Sequence, residues 1–239
     1  MRKTTDLEAV KQMAISFLHI EPEPIDTLGE LSGLFITHPF FNSSFLLNPK
    51  TQKMFNIFAE PQEYTEYKKL FEQELRKENK VSSILLHINT PYKLTFFKYI
   101  NQYLSSQDFS KTLVACYTQM EVIADETNVK KTDIIKWFAK ADKNYMMNEE
   151  EIEKFNNLPT NVTIYRGIRD EAYKYEMSWT LSKSKAEWFA TRFDSETPIL
   201  LKTVVNKNDI LCYLNDRDEA EVVIDPNKIN KNNVIEMYL

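Results

Sequence analysis

The stretch of sequence that decides the fold contains three short segments, 162–167 (VTIYRG), 178–180 (SWT) and 219–224 (EAEVVI). Valine, isoleucine and tyrosine suit a pleated, half-buried surface, so the first segment predicts a strand that ends near Arg166. In the third segment Glu219 and Glu221 are two residues apart, a spacing that places both carboxylates on one face of a strand. Ser178 and Thr180 share that spacing, and a helix signal follows them.

The last third of the chain is rich in strand patterns around these segments. Strands are predicted at 161–167, 177–181, 199–205, 209–214, 219–225 and 234–239. A single helix, from about Ser184 to Arg192, interrupts them, and it begins with the Ser-x-x-Glu pattern of a capping box at Ser184 and Glu187. We therefore expect a small, mostly antiparallel β structure over residues 158–239.

The preceding residues indicate a helical lobe. Helices are predicted at 6–18, 61–78, 91–104, 108–124, 132–142 and 149–156, and a hairpin is predicted to join 45–47 to 54–58. Thr132 is the expected N-cap of the fifth of these helices. Because no flexible linker precedes Val162, the predicted organisation is α+β, with a mainly helical lobe over 1–157 packed against a β core over 158–239.

Composition excludes several classes of protein. The chain has only three glycines and contains neither a G-x-G-x-x-G nor a G-x-x-x-x-G-K-[ST] motif, so neither common nucleotide-binding loop is present. The three histidines and two cysteines have no metal-ligand spacing, so no metal is expected.

The N-terminal residues lack the apolar region of a secretory signal, and no run approaches ~18 apolar residues, so we expect a cytoplasmic protein with no membrane partner. The net charge of −5 disfavours general nucleic-acid binding.

An arginine at a strand end, a Ser-x-Thr and a Glu-x-Glu, in this order, resemble the R-S-E class of NAD-dependent ADP-ribosyltransferases. The segment 186–190 (AEWFA) and the pair Leu158-Pro159 extend the resemblance, which covers about the last third of the chain. Together the motifs look like the compact ADP-ribosyltransferase domains of phages, prophages and bacterial toxin or defence systems. The resemblance implies a β core of the ADP-ribosyltransferase type that takes NAD+ as co-substrate and modifies a macromolecule.

The resemblance implies that Glu221 is the catalytic glutamate. Cleavage of the bond between nicotinamide and ribose builds positive charge on the sugar, as in glycoside cleavage, and a fixed carboxylate stabilises that charge. Glu219 would meet the acceptor and take its proton during attack. From the residues alone, Glu221 could also be a solvated glutamate on a strand face, and Glu219 a surface acid beside a charged turn.

Arg166 and its neighbours are the expected NAD+-binding residues. Arg166 would hold a phosphate or the adjacent ribose of NAD+, and its guanidinium fork suits bidentate contact with a phosphate. The resemblance extends the binding set to Tyr165 and Gly167. Ser178 would orient Glu221 or the ribose and so belongs to both the catalytic and the binding set. The alternative for Arg166 is a structural ion pair at the strand end.

Thr180 is expected to support the same network, although the family often carries serine-threonine-serine where this chain has a tryptophan at the middle position. Trp188 and Phe189 are expected to form an apolar wall for nicotinamide, and Phe193 and Tyr213 are further candidates for that wall. The alternatives are that Ser178 and Thr180 are ordinary strand residues and that the aromatic side chains belong to the core.

Two classes of function follow from these residues. The first is transfer of ADP-ribose from NAD+ to a macromolecule with release of nicotinamide, by an intracellular toxin, a phage-encoded protein or a phage-defence effector. The resemblance implies that a glutamate at the position of Glu219 goes with protein arginine as the acceptor, with RNA or DNA as the alternative, and with an antitoxin or inhibitor protein as a possible partner. The second class is a non-catalytic module that binds NAD+ or a partner protein.

Overall fold

The computed structural model describes residues 3–120, 128–192 and 197–239, without the side chains of residues 27, 28 and 30. The chain divides into two compact units, Met1–Glu121 and Val122–Leu239. Helices and antiparallel strands both occur, which confirms the expected α+β class. Among the described helices, none combines the length and the apolar character that crossing a membrane requires.

The first unit is mainly helical. Its elements are α1 (Leu7–Leu18), β1 (Glu23–Pro24), β2 (Ile36–Thr37), β3 (Phe45–Leu47), β4 (Met54–Asn56), α2 (Pro61–Lys77), α3 (Val81–Leu86), α4 (Lys93–Ile100) and α5 (Ser106–Tyr117). Strands β3 and β4 pair antiparallel, which confirms the predicted hairpin. Phe17 packs edge-on against Phe96, with ring centroids 5.3 Å apart, in a core that the helices share.

The second unit contains the largest sheet. Its elements are α6 (Lys131–Lys140), α7 (Lys143–Met146), α8 (Glu149–Asn156), β5 (Asn161–Ile168), β6 (Ser178–Thr180), α9 (Lys183–Thr191), β7 (Ile199–Asn206), β8 (Ile210–Leu214), β9 (Glu221–Ile224) and β10 (Ile235–Tyr238). The strand order is β10-β7-β5-β6-β9-β8, and every neighbouring pair is antiparallel. The arginine, serine and glutamate segments therefore lie on three adjacent strands, β5, β6 and β9.

The second unit begins before the predicted boundary at 157/158, because α6, α7 and α8 group with the sheet. The ammonium of Lys143 donates to the carbonyl of Ile210 at 2.9 Å, and the backbone N–H of Tyr213 donates to the sulfur of Met147 at 3.4 Å. Both bonds attach the helical segment to β8. The helical patterns at 132–142 and 149–156 predicted α6 and α8, but neither α7 nor the core that the three helices cover.

Several helix boundaries differ from the sequence-based expectations. The N-cap of α9 is Ser182, which accepts a hydrogen bond from the N–H of Lys185 at 3.3 Å, so the capping box predicted at Ser184 is wrong. The residue before α6 is Lys130, and no side chain caps that helix, so the N-cap role of Thr132 is also wrong.

Helix α3 was not predicted. Helix α5 ends at Tyr117, and residues 121–124 of the predicted helix lie outside the described residues.

Candidate functional site

One row of residues crosses four strands of the sheet. Tyr165 of β5 pairs with Thr180 of β6, Thr180 pairs with Glu221 of β9, and Glu221 pairs with Leu214 of β8. Directly opposed residues of neighbouring strands point to the same face of a sheet, and the strands are about 4.8 Å apart. Tyr165, Thr180 and Glu221 therefore share one face, with Thr180 between the other two. Ser178, two residues before Thr180, has the same orientation along β6.

Arg166 connects the arginine segment to the serine segment. Its Nε–H donates to the carbonyl of Tyr173 at 3.1 Å, and its Nη1 donates to the carbonyl of Ser178. Tyr173 lies on the connection between β5 and β6, and Ser178 is the first residue of β6, so the guanidinium holds the connection and the start of β6 against β5. Arg166 and Ser178 are both half-buried.

Glu221 is the buried acid of the site, with 6% of its surface exposed. Its carboxylate lies near Cys212, which is buried on β8. Burial raises the pKa of the Cys212 thiol well above its usual value, and the negative charge of Glu221 raises it further. The thiol therefore stays protonated at neutral pH, and Cys212 does not provide a nucleophile at this site.

The hydroxyl of Thr180 holds the residues that precede Glu221. It donates to the carbonyl of Glu219 at 2.7 Å and accepts from the backbone N–H of Ser182 at 3.0 Å. One residue further along, the N–H of Leu181 donates to the carbonyl of Ala220 at 3.0 Å. Thr180 thus joins the end of β6, the start of α9 and the segment that enters β9.

Glu219 does not lie in the strand with Glu221, so the predicted strand start at residue 219 is wrong. Strand β9 begins at Glu221, and Ala220 before it has a φ of 47°, in the left-handed region. Non-glycine residues seldom adopt this conformation. The side chain of Asn215 stabilises it by accepting a hydrogen bond from the N–H of Ala220 at 2.9 Å. Because Ala220 interrupts the strand geometry, alternation no longer places both glutamates on one face.

Glu219 and Glu221 differ in environment. The carboxylate of Glu219 forms an ion pair with Arg217, with Nη2 and Oε2 2.9 Å apart, and 22% of its side chain is exposed. Arg217 lies on the turn between β8 and β9, and 52% of its side chain is exposed. The accessible acid therefore already contacts a guanidinium, while the other acid is enclosed beside Thr180 and Cys212.

Glu151 is a site-supporting residue that the sequence analysis missed. As the third residue of α8 it accepts from the N–H of Asn148 at 2.8 Å in a capping box, and its other carboxylate oxygen accepts from the N–H of Asn215. Glu151 is 4% exposed. The Asn-x-x-Glu pattern of the capping box is visible in the sequence. The bond to Asn215, which begins the turn carrying Glu219, is not.

Gly167 permits a close approach of α9 to β5. A Cβ atom added at Gly167 would lie 1.8 Å from the carbonyl oxygen of Ala186 and 2.6 Å from the nitrogen of Ala190. Both alanines are fully buried. The absence of a side chain at Gly167 is thus explained by helix packing, whether or not Gly167 also contacts NAD+.

Trp188 and Phe189 lie together on α9, with ring centroids 5.0 Å apart. Trp188 is 52% exposed, and the guanidinium of Arg192 lies over both rings.

Tyr213 is buried and pairs with Val222, one residue out of the row of Glu221, so its side chain is on the other face of the sheet. Phe193 lies outside the described residues.

No group of three or more His, Cys, Asp or Glu side chains that could hold a metal ion occurs within residues 3–120, 128–192 and 197–239. The chain matches no protein-family model, no curated protein and no solved structure.

Proposed function

We propose that this protein transfers ADP-ribose from NAD+ to a macromolecular acceptor and releases nicotinamide. One observation carries the proposal. The three segments with the R-S-E pattern lie on adjacent strands, with Thr180 directly opposite Glu221 and with Arg166 bonded to the carbonyl of Ser178. Segments up to 55 residues apart along the chain, from Arg166 to Glu221, are thus neighbours in one sheet.

Glu221 is the residue proposed to stabilise the ribose cation. Its carboxylate is largely buried, and a charge in such a position acts more strongly on a nearby developing charge than an exposed one does. The hydrogen bonds of Thr180 join the segment that enters β9 to the start of α9, so the backbone that carries the carboxylate is held before the substrate arrives. Preorganisation of this kind is the main source of electrostatic catalysis.

The residues proposed to bind NAD+ lie on both faces of the sheet at this row. Tyr165, Ser178 and Thr180 share the face of Glu221, whereas Arg166, one residue further along β5, is on the opposite face. Arg166 would neutralise a phosphate, and Gly167 follows it on β5. Ser178 would orient Glu221 or bind the ribose, and Thr180 would support that network. The half-exposed ring of Trp188, with Phe189 next to it and the guanidinium of Arg192 over both rings, is proposed to stack on a planar group. A cation for a phosphate, a hydroxyl for the ribose and aromatic rings for the planar nicotinamide are thus all present in this set of side chains.

The first prediction separates an enzyme from a non-catalytic module. We expect the full-length protein to bind NAD+ in calorimetry and to release nicotinamide in a continuous assay. Arg166→Lys should weaken NAD+ binding by about tenfold, because an ammonium reproduces neither the guanidinium fork nor both of the bonds to the carbonyls of Tyr173 and Ser178. Arg169→Lys, on an exposed residue just beyond β5, is the matched control. Absence of NAD+ binding at millimolar concentration would reject the proposal, and binding without nicotinamide release would favour the module.

Protein arginine is the acceptor that we propose. The observation that favours it over RNA or DNA is that Glu219 is accessible and already pairs with a guanidinium at 2.9 Å. An arginine must lose a proton as it attacks, and a carboxylate within hydrogen-bond distance can take that proton. The resemblance further suggests an intracellular toxin, phage-encoded protein or phage-defence effector, for which an antitoxin or inhibitor protein would be a partner.

The second prediction tests the acceptor. A bacterial lysate that contains the protein and labelled NAD+ is expected to yield a labelled product that protease degrades and nuclease leaves intact. Glu219→Gln should lower this labelling at least ~100-fold by removing the proton acceptor while slow NAD+ hydrolysis continues. Label that is lost to nuclease and resists protease would instead identify RNA or DNA as the acceptor, without affecting the proposed NAD+ chemistry.

A further inference from the structure

Arg217 places a guanidinium on the acid that we propose to receive the acceptor. Its Nη2 lies 2.9 Å from Oε2 of Glu219, and the two residues are separated only by Asp218. Asp218 has a φ of 54°, and its carboxylate pairs with Lys185 at the start of α9 at 2.9 Å. The turn that presents Arg217 is therefore fixed at Asp218 by α9 and at Asn215 by Glu151.

We propose that Arg217 is an acceptor of ADP-ribose within its own chain. This inference rests on the proposed transferase function. In the step, a guanidinium nitrogen of Arg217 forms a bond to the anomeric carbon of the ribose that carries nicotinamide. The bond from that carbon to the nicotinamide nitrogen breaks, and neutral nicotinamide leaves with the electron pair. The proton lost from the guanidinium passes to Glu219, so atoms and charge balance with NAD+ as the only co-reactant.

Other arginines of the second unit are held differently. Arg166 donates to the backbone carbonyls of Tyr173 and Ser178, and Arg192 lies over the rings of Trp188 and Phe189. Arg217 forms an ion pair with Glu219, and half of its side chain is accessible. Selection of the acceptor nitrogen by Glu219 thus favours Arg217.

Modification would also limit the activity of the protein. The transferred group brings a diphosphate next to the carboxylates of Asp216 and Asp218, where like charges repel it. The modified side chain would remain tethered to the turn that presents Glu219 and would obstruct the approach of another acceptor. Before modification, Arg217 competes with an external arginine for Glu219.

The third prediction tests this inference by intact-mass analysis and peptide mapping after incubation of the full chain with NAD+. We expect wild-type protein to gain one ADP-ribosyl group on Arg217, at a first-order rate that does not depend on protein concentration. Arg217→Lys should lower this incorporation at least ~10-fold, since an amine does not match the guanidinium contact, whereas Arg169→Lys should behave like wild type. With arginine methyl ester as an external acceptor, Arg217→Lys should label the ester faster than wild type does.

The outcomes distinguish the two proposals. Wild-type protein that releases no nicotinamide would reject the transferase function and this inference together. Nicotinamide release without modification at Arg217, or incorporation unchanged in Arg217→Lys, would reject this inference alone. An Arg217→Lys variant that modifies neither itself nor the ester would make Arg217 part of the reaction machinery and would likewise overturn its role as acceptor.

Discussion

Replacement of Gly167 by alanine is expected to destabilise the second unit by about 3 kcal/mol or more, the upper range for forcing an extra group into a packed interior. The added Cβ would lie 1.8 Å from a backbone oxygen and 2.6 Å from a backbone nitrogen of α9. Rotation of a side chain cannot relieve contacts with backbone atoms. The helix must therefore move away from β5, which opens the packing of the buried Ala186 and Ala190.

Thermal and urea unfolding of the full chain measure this effect. A loss of about 3 kcal/mol in a domain of this size corresponds to a fall in Tm of more than about 10 °C. Asn161→Ala is the matched control, because Asn161 is an exposed residue of the same strand and should change the free energy of unfolding by less than about 0.5 kcal/mol. A Gly167→Ala protein with a Tm within about 2 °C of wild type would contradict the close packing of α9 on β5.

Glu221→Gln is expected to lower the rate of nicotinamide release by at least ~100-fold, equivalent to about 2.7 kcal/mol of transition-state stabilisation. Glutamine preserves the size of the side chain and removes the charge that would stabilise the ribose cation. Glu221 is largely buried next to Thr180, so solvent does not make up for the negative charge that the substitution removes. The binding of NAD+ should change much less than the rate, because the cation forms only during reaction.

The comparison uses rates of nicotinamide release, NAD+ affinities from calorimetry and circular dichroism of the folded variant. Glu187→Gln is the control, since Glu187 is a glutamate on α9 that pairs with Lys183 at 3.1 Å and has no proposed part in the reaction. Retention of more than about a tenth of the wild-type rate by Glu221→Gln, an effect below ~1.4 kcal/mol, would remove Glu221 from the catalytic role.

The sequence predicted the elements of the second unit well, because their patterns are local. Strands β5 and β7 are rich in β-branched and apolar residues, and α8 begins with three acids that favour a helix N-terminus. The resemblance assigned Tyr165, Thr180 and Glu221 to one site, but the strand pairing that joins them was not predicted. Helix α3 was missed because six residues are too few to show a helical period clearly.

The remaining features depend on contacts between distant residues. Alanine gives no turn signal, so the positive φ of Ala220 could not be predicted, and with it the separation of Glu219 from the strand was missed. The carbonyl partners of Arg166 lie on the connection into β6 and at the start of β6, and their positions are set by the sheet. The grouping of α6, α7 and α8 with the sheet follows from bonds to β8 that no periodicity reveals.

Glu151 links helix α8 to the turn that carries the proposed acceptor site of the second unit. A single carboxylate accepts from Asn148 at the start of α8 and from Asn215 at the start of the turn that carries Arg217 and Glu219. If α8 unwinds, the amide of Asn215 loses its buried partner, so the turn and the helix open as one unit rather than separately. The protection of that amide from solvent exchange therefore reports the integrity of a helix more than 60 residues earlier in the chain.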